Sequence, residues 1–198
     1  MIILGLTGSI GMGKTTTSGL FADEGCPVFN ADKAVHQLYA KGGRAVPLIN
    51  AVFPDAVVNG AVERSVLGAH MRADPLKLKV LESFIHPWVE DMRKSFFDAS
   101  RKENADIVVL DIPLLFETGG DKKVDYTVTV SAPAEVQKSR VMARPGMTEE
   151  LFNMLLSRQL TDEEKRSRAD FVLSTGVSIP ETRKQVQELV RKLRANEA

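Results

Sequence analysis

Short apolar runs separated by glycine and polar clusters set the rhythm of this chain. Ile2 to Leu6 form a β-compatible apolar run without polar alternation, the pattern of a strand buried on both faces in a parallel sheet. A helix is expected from Lys14, burying Leu20 and Phe21 and ending near Gly25. Further short strands are expected at Pro27 to Asn30, Asp106 to Leu110, Asp125 to Val130 and Phe171 to Leu173. Helical patterns lie between most of these runs, and such alternation predicts an α/β, doubly wound parallel sheet. No internal repeat or low-complexity tract interrupts it.

Two stretches exceed a simple crossover. From Asp32 to Glu103, the residues Leu81, Phe84, Ile85, Trp88, Val89 and Met92 recur at helical spacing, and Pro87 implies a kink or break near His86. This segment reads as an inserted helical subdomain. The second, Arg140 to Arg168, is rich in arginine and helix formers and precedes the last strand. Insertions after the carboxyl ends of strands fall beside the ligand crevice of open α/β sheets, so both are expected to handle substrates.

Composition narrows the function classes. The 198 residues are 43% hydrophobic, enough for one substantial core. Lys plus Arg and Asp plus Glu balance at 26 each, which argues against a nucleic-acid or anionic-membrane partner. Cys26 is the single cysteine, so no internal disulfide is possible, and it reads as a small buried hydrophobe. The first residues carry neither a basic leader nor an apolar stretch of membrane-spanning length. A cytoplasmic monomer is expected.

The chemistry begins at Gly8, Ser9, Ile10, Gly11, Met12, Gly13, Lys14 and Thr15, a full match to G-x-x-x-x-G-K-[ST]. Glycines let the backbone curl so that successive N–H groups point at phosphate oxygens, and the helix that follows adds its amino-terminal partial charge. Gly8, Gly11, Met12, Gly13, Lys14, Thr15 and Thr16 are the expected nucleotide contacts, with Lys14 on the β and γ phosphates and the Thr15 hydroxyl on Mg²⁺. An N-K-x-D guanine motif and a D-x-x-G switch are both missing, which excludes a switch GTPase. The apolar strand ending in Asp111 is followed by Ile112 rather than a water-activating Glu. That leaves phosphoryl transfer to an acceptor other than water.

Asp32, just past the second strand, can orient an attacking hydroxyl and accept its proton; it can equally cap a helix starting at Lys33. Asp111, at the end of a buried strand, is a candidate magnesium-water ligand. Arg140 and Arg144 are spaced one helical turn apart before Pro145-Gly146 and are candidates to close over the triphosphate. A solvated charged face is the competing reading. His86 lacks a second metal ligand at helical spacing and reads as a structural or substrate-packing side chain.

Together, LTGSIGMGKTT, FADEGCPVFNAD, RADPLKLKVLESFIHPWV, LDIPLLFE, SRVMAR, SRQ and ADFVLSTG make nearly the whole chain resemble the dephospho-CoA kinase family. The P-loop identifies only the superfamily; IHP, DIPLLFE and the Asp after strand two are more specific. The resemblance implies ATP- and Mg²⁺-dependent phosphorylation of the ribose 3′-hydroxyl of dephospho-CoA. It also implies a three-layer P-loop fold: a five-stranded parallel sheet over about 1–31, 104–139 and 169–198, a helical CoA-binding insertion over about 32–103 and a lid over about 140–168. On that pattern Asp32 stands where the family has its general base and Arg140 where it has its lid arginine; Arg144, from its spacing to Arg140, is expected beside the nucleotide. His86, Pro113 and Leu114 fall in acceptor-binding territory. The chain departs from the family's D-A-D after strand two, reading Asn30-Ala31-Asp32, and Leu173-Ser174-Thr175-Gly176 is one residue short where the family often places an Asn. Two other functions compete: a different small P-loop kinase, acting on a nucleoside, nucleotide or small metabolite, and a nucleotide-binding regulator without catalysis.

Overall fold

The computed structural model describes residues 1–195 and, within them, all side chains other than those of Arg72, Pro75 and Leu78. Strand alternation sorts its sheet into two faces. In β1 (Ile2–Thr7), Leu4 and Leu6 enter a core with Leu20 and Phe21 of α1 (Lys14–Asp23). Ile107 and Val109 of β5 (Ile107–Asp111) and Val128 and Val130 of β6 (Tyr126–Ser131) enter the same core. The alternate residues face the other way, where Thr129 Oγ1 donates to the Lys165 carbonyl at 3.3 Å. A period of two therefore places helices on both faces, giving three layers.

The sheet runs β2 (Val28–Asn30), β5, β1, β6, β7 (Phe171–Ser174), all parallel. Leu6 of β1 pairs with Asp111 and Val128, so β1 is central and the P-loop leaves from its carboxyl end. Helix α9 (Ile179–Arg194) packs on α1 and β7, and buries Val186, Leu189, Val190 and Leu193. Between β6 and β7 the chain forms α6 (Ala134–Met142), α7 (Glu149–Leu156) and α8 (Asp162–Arg168), with α8 against β6.

The chain divides into two compact units, residues 1–29 with 100–198, and residues 30–99. The second holds α2 (Ala31–Tyr39), α3 (Val46–Val52), β3 (Val57–Val58), β4 (Ala61–Val62), α4 (Arg64–Ala73) and most of α5 (Pro75–Lys102). Its own core gathers Leu38, Ile49, Phe53, Leu67, Leu81 and Ile85.

Two local expectations change. Helix α5 continues through Pro87 without the expected break. Pro87 is exposed, while Leu81 and Ile85 are buried and Trp88, Val89 and Met92 pack beside them. Burying that stripe outweighs the roughly 3 kcal/mol that an interior proline costs. The insertion is also not purely helical. Asn59 (φ 52°) and Gly60 (φ 79°) form the two-residue turn of the β3–β4 hairpin, the left-handed pair such turns require. Among the described residues no helix is long and apolar enough to cross a membrane.

Candidate active site

The phosphate loop lies between β1 and α1, and its glycines have steric reasons to be there. Gly11 and Gly13 have φ of 80° and 82°. A Cβ on Gly11 would come within 2.5 Å of Val141 Cγ2, and one on Gly8 within 2.4 Å of Val130 Cγ2. The loop is thus pressed against α6 and β6, where no side chain fits. Met12 is buried, and its sulfur accepts a bond from the Ala132 amide at 3.2 Å. Thr15 and Thr16 are exposed at the start of α1.

Lys14 bonds the Asp111 carboxylate at the end of β5. Asp111 is only 1% exposed, so this pair holds the lysine at the loop rather than in solvent. An oxygen pair made of the Thr15 hydroxyl and the Asp111 carboxylate suits Mg²⁺, which takes one or two protein oxygens together with substrate phosphate. These residues fit that ion.

Around the loop, Thr175 after β7 donates through Oγ1 to the Met12 carbonyl at 2.8 Å, and its own carbonyl accepts from Arg140 Nη2 at 2.7 Å. Arg140 is therefore joined to the P-loop through Thr175. Arg144 is not its partner on a helix face: α6 ends at Met142, and Arg144 sits in the bend before Pro145. The Pro145-Gly146 turn ends the helix too early for that spacing to apply.

After β5, Pro113 is half-buried and Leu114 is 37% exposed. The Pro113 carbonyl accepts from Thr7 Oγ1 at 3.1 Å and from Lys165 Nζ at 3.4 Å. Lys165 is wholly buried and pairs with Glu117 at 2.9 Å; the same Glu117 oxygen accepts from the Leu160 amide at 2.9 Å. Burial pushes the Glu117 carboxyl up, but the bonds from Lys165 and Leu160 outweigh it and leave it below its ordinary 4.5.

Asp32 and His86 belong to the second unit, and both are exposed. Asp32 does not cap its helix. α2 begins at Ala31, and Asn30 Oδ1 accepts from the Lys33 amide at 2.8 Å, which makes Asn30 the cap and Asp32 a first-turn residue. The departure at Asn30 thus keeps a good cap, since Asn and Asp cap about equally well. Cys26 is buried, and burial pushes its thiol up to about 11, which removes it from nucleophilic chemistry at neutral pH.

Sequence reasoning missed Gln137, Gln159 and the Glu117–Lys165 pair. Gln159 and Glu117 end the SRQ and LDIPLLFE stretches, which was a usable signal. Lys165 gave none, because within DEEKRSR it looks like any solvated lysine.

A P-loop whose lysine rests on a strand-end aspartate, set in a five-stranded parallel sheet, defines a nucleotide-dependent kinase of the P-loop class. The family model for dephospho-CoA kinase matches residues 2–181. Dephospho-CoA kinases of Brucella melitensis and Agrobacterium fabrum are 53% and 50% identical, over 98% of this chain and 96% and 100% of theirs. A Thermus thermophilus structure, TT1252, superposes with TM-score 0.80 at 35% identity, covering 97% of each chain. Dephospho-CoA kinase from Campylobacter jejuni, at TM-score 0.71 and 23% identity over 99% of this chain and 98% of that one, shares the fold. The chain belongs to the dephospho-CoA kinase family.

Proposed function

We propose that this enzyme transfers the γ-phosphoryl group of ATP to the ribose 3′-hydroxyl of dephospho-CoA, giving coenzyme A and ADP. The observation that carries the reading is the Lys14–Asp111 pair beneath an intact P-loop, in a chain of this family. The P-loop amides and the α1 terminus bind the β and γ phosphates, and Lys14 neutralises charge that spreads over the transferring group. Bound Mg²⁺, held by Thr15 and reached from Asp111, would draw charge from the same oxygens.

Asp32 orients the attacking hydroxyl and takes its proton as the oxygen–phosphorus bond forms and the bond to the ADP oxygen breaks. Its support is its place two residues beyond β2, exposed and free of capping duty. Arg140, tied to Thr175 beside the loop, supplies a second positive charge as the segment over 140–168 closes and shuts out water. Arg144 follows it towards the nucleotide. His86, Pro113 and Leu114 contact the acceptor.

This reading assigns residues 32–103 to acceptor binding. It places the enzyme in the cytoplasm as a monomer, where its lone free cysteine matches a reducing compartment. ADP release coupled to a fluorescent or absorbance readout, with and without dephospho-CoA, tests it. Release must depend on dephospho-CoA; release that is equal without it, or that needs a nucleoside instead, overturns the assignment.

A further inference from the structure

Both backbone groups of the P-loop residue Ile10 are held by side chains from elsewhere in the fold. Its amide donates to Gln159 Oε1 at 3.2 Å, and its carbonyl accepts from Gln137 Nε2 at 2.8 Å. Gln137 lies on α6 and is 6% exposed; Gln159 lies between α7 and α8, in sequence 149 residues away from Ile10. The residue after Gln159 is itself fixed, because the Leu160 amide donates to Glu117, which pairs with the buried Lys165. The glutamine amide therefore projects from an anchored piece of backbone.

We propose that Gln159 is a positioning residue for phosphoryl transfer, acting through the Ile10 peptide to hold the P-loop in its phosphate-binding curvature. The inference rests on the reading of this loop as the ATP phosphate site. Its physical basis is the cost of ordering glycine. Gly8, Gly11 and Gly13 flank Ile10 closely, two of them at positive φ, and such backbone has many alternatives to the curled form. Phosphate-binding amides must already point inward when the nucleotide arrives, or part of the binding energy goes into ordering them. The two bonds fall on the peptide units before and after the Ile10 Cα, Ser9–Ile10 and Ile10–Gly11, so together they limit rotation of both. With its N–H engaged by Gln159, Ile10 serves to anchor the loop, and phosphate is left to the other amides. The same bond ties the loop to the chain between α7 and α8, so the segment expected to act as a lid is secured at its carboxyl-terminal end.

The test compares Gln159→Met, which keeps the side-chain length and removes the acceptor, with the unaltered enzyme and with Lys14→Ala. KM for ATP should rise about three- to tenfold, the range of a typical net hydrogen bond, with KM for dephospho-CoA and the melting temperature nearly unchanged. A Gln137→Met variant and the double variant complete a cycle. If both act through Ile10, the double variant should lose less than the product of the two single losses. A melting temperature that falls while KM for ATP stays put would make Gln159 structural only and overturn the proposal. So would an equal rise in both KM values, or single losses that simply multiply. If Gln137→Met does not fold, the KM comparison in Gln159→Met decides alone. Lys14→Ala separates the premises. Its loss of turnover beside an unaltered Gln159→Met would sink the positioning role and leave the ATP site standing. Near-normal turnover in Lys14→Ala would remove both.

Discussion

Asp32 carries the most informative single substitution, because Asn30 already does the helix capping that would otherwise confuse the result. Asp32→Asn should cut turnover on the order of a hundredfold or more, as losses of a general base do, with ATP affinity nearly unchanged. The melting temperature should stay where it is, since the side chain is exposed. An equally active Asp32→Asn enzyme would rule out the catalytic role proposed for Asp32. Asn30→Ala should do the opposite, costing about 1 kcal/mol of stability in denaturant titration through loss of the cap. Lys14→Ala should lower turnover by several orders of magnitude, because on the proposed mechanism its charge counts for most in the transition state. These residues were legible in the sequence because each belongs to a local pattern: a glycine loop, a strand end, the turn after a strand. Gln159 was marked only by the SRQ stretch that it ends, and Lys165 was not legible at all. Their roles come from partners 149 and 48 positions away, and the period of the chain carries no trace of such pairings.

At the scale of elements, two contacts set the geometry around the loop. Gly11 meets α6 with no room to spare, so Gly11→Ala combines a left-handed backbone with a 2.5 Å collision at Val141. Turnover should collapse, and KM for ATP should rise well beyond the Gln159→Met effect. The second contact joins α8 to the loop after β5 through Glu117 and Lys165. Because the folded-state pKa of Glu117 is lowered, this pair stabilises fully above about pH 4.5 and loses that contribution as pH falls through the lower folded value. Glu117→Gln should cost about 1.5–3 kcal/mol near neutral pH, as for hydrogen bonds to a charged group. The difference from the unaltered enzyme should shrink on acidification; a difference constant from pH 7 to pH 3 would contradict the pairing. The five strands and α1 were readable because buried parallel strands are short apolar runs. The β3–β4 hairpin was equally readable, since Asn59-Gly60 stands between Val57-Val58 and Ala61-Val62, yet a search for helical spacing passes over it. Pro87 misled because one local penalty was set against a long packed stripe.

For the whole molecule, the core is assembled from distant parts of the chain. The family model ends at residue 181, but Val186, Leu189, Val190 and Leu193 beyond it are buried in the central core. At about 1.5–3 kcal/mol for each buried side chain, their loss removes as much as the whole of a typical domain's stability. A chain ending at residue 181 should therefore show no cooperative unfolding transition by circular dichroism. The same discontinuity has a consequence for birth on the ribosome. β1 finds its partners only at Ile107–Asp111 and Tyr126–Ser131, and the loop behind it receives its last support from Thr175. Residues 30–99, with a core of their own, emerge in between. At the about 5–20 residues per second of synthesis, Thr175 follows Thr15 by roughly 8–32 s. Until β5 and β6 are made, β1 is an unpaired apolar strand, and the glycine-rich segment after it waits longer still, for Thr175. The glycine-rich loop is made early and completed late, which makes it a segment for chaperones to shelter.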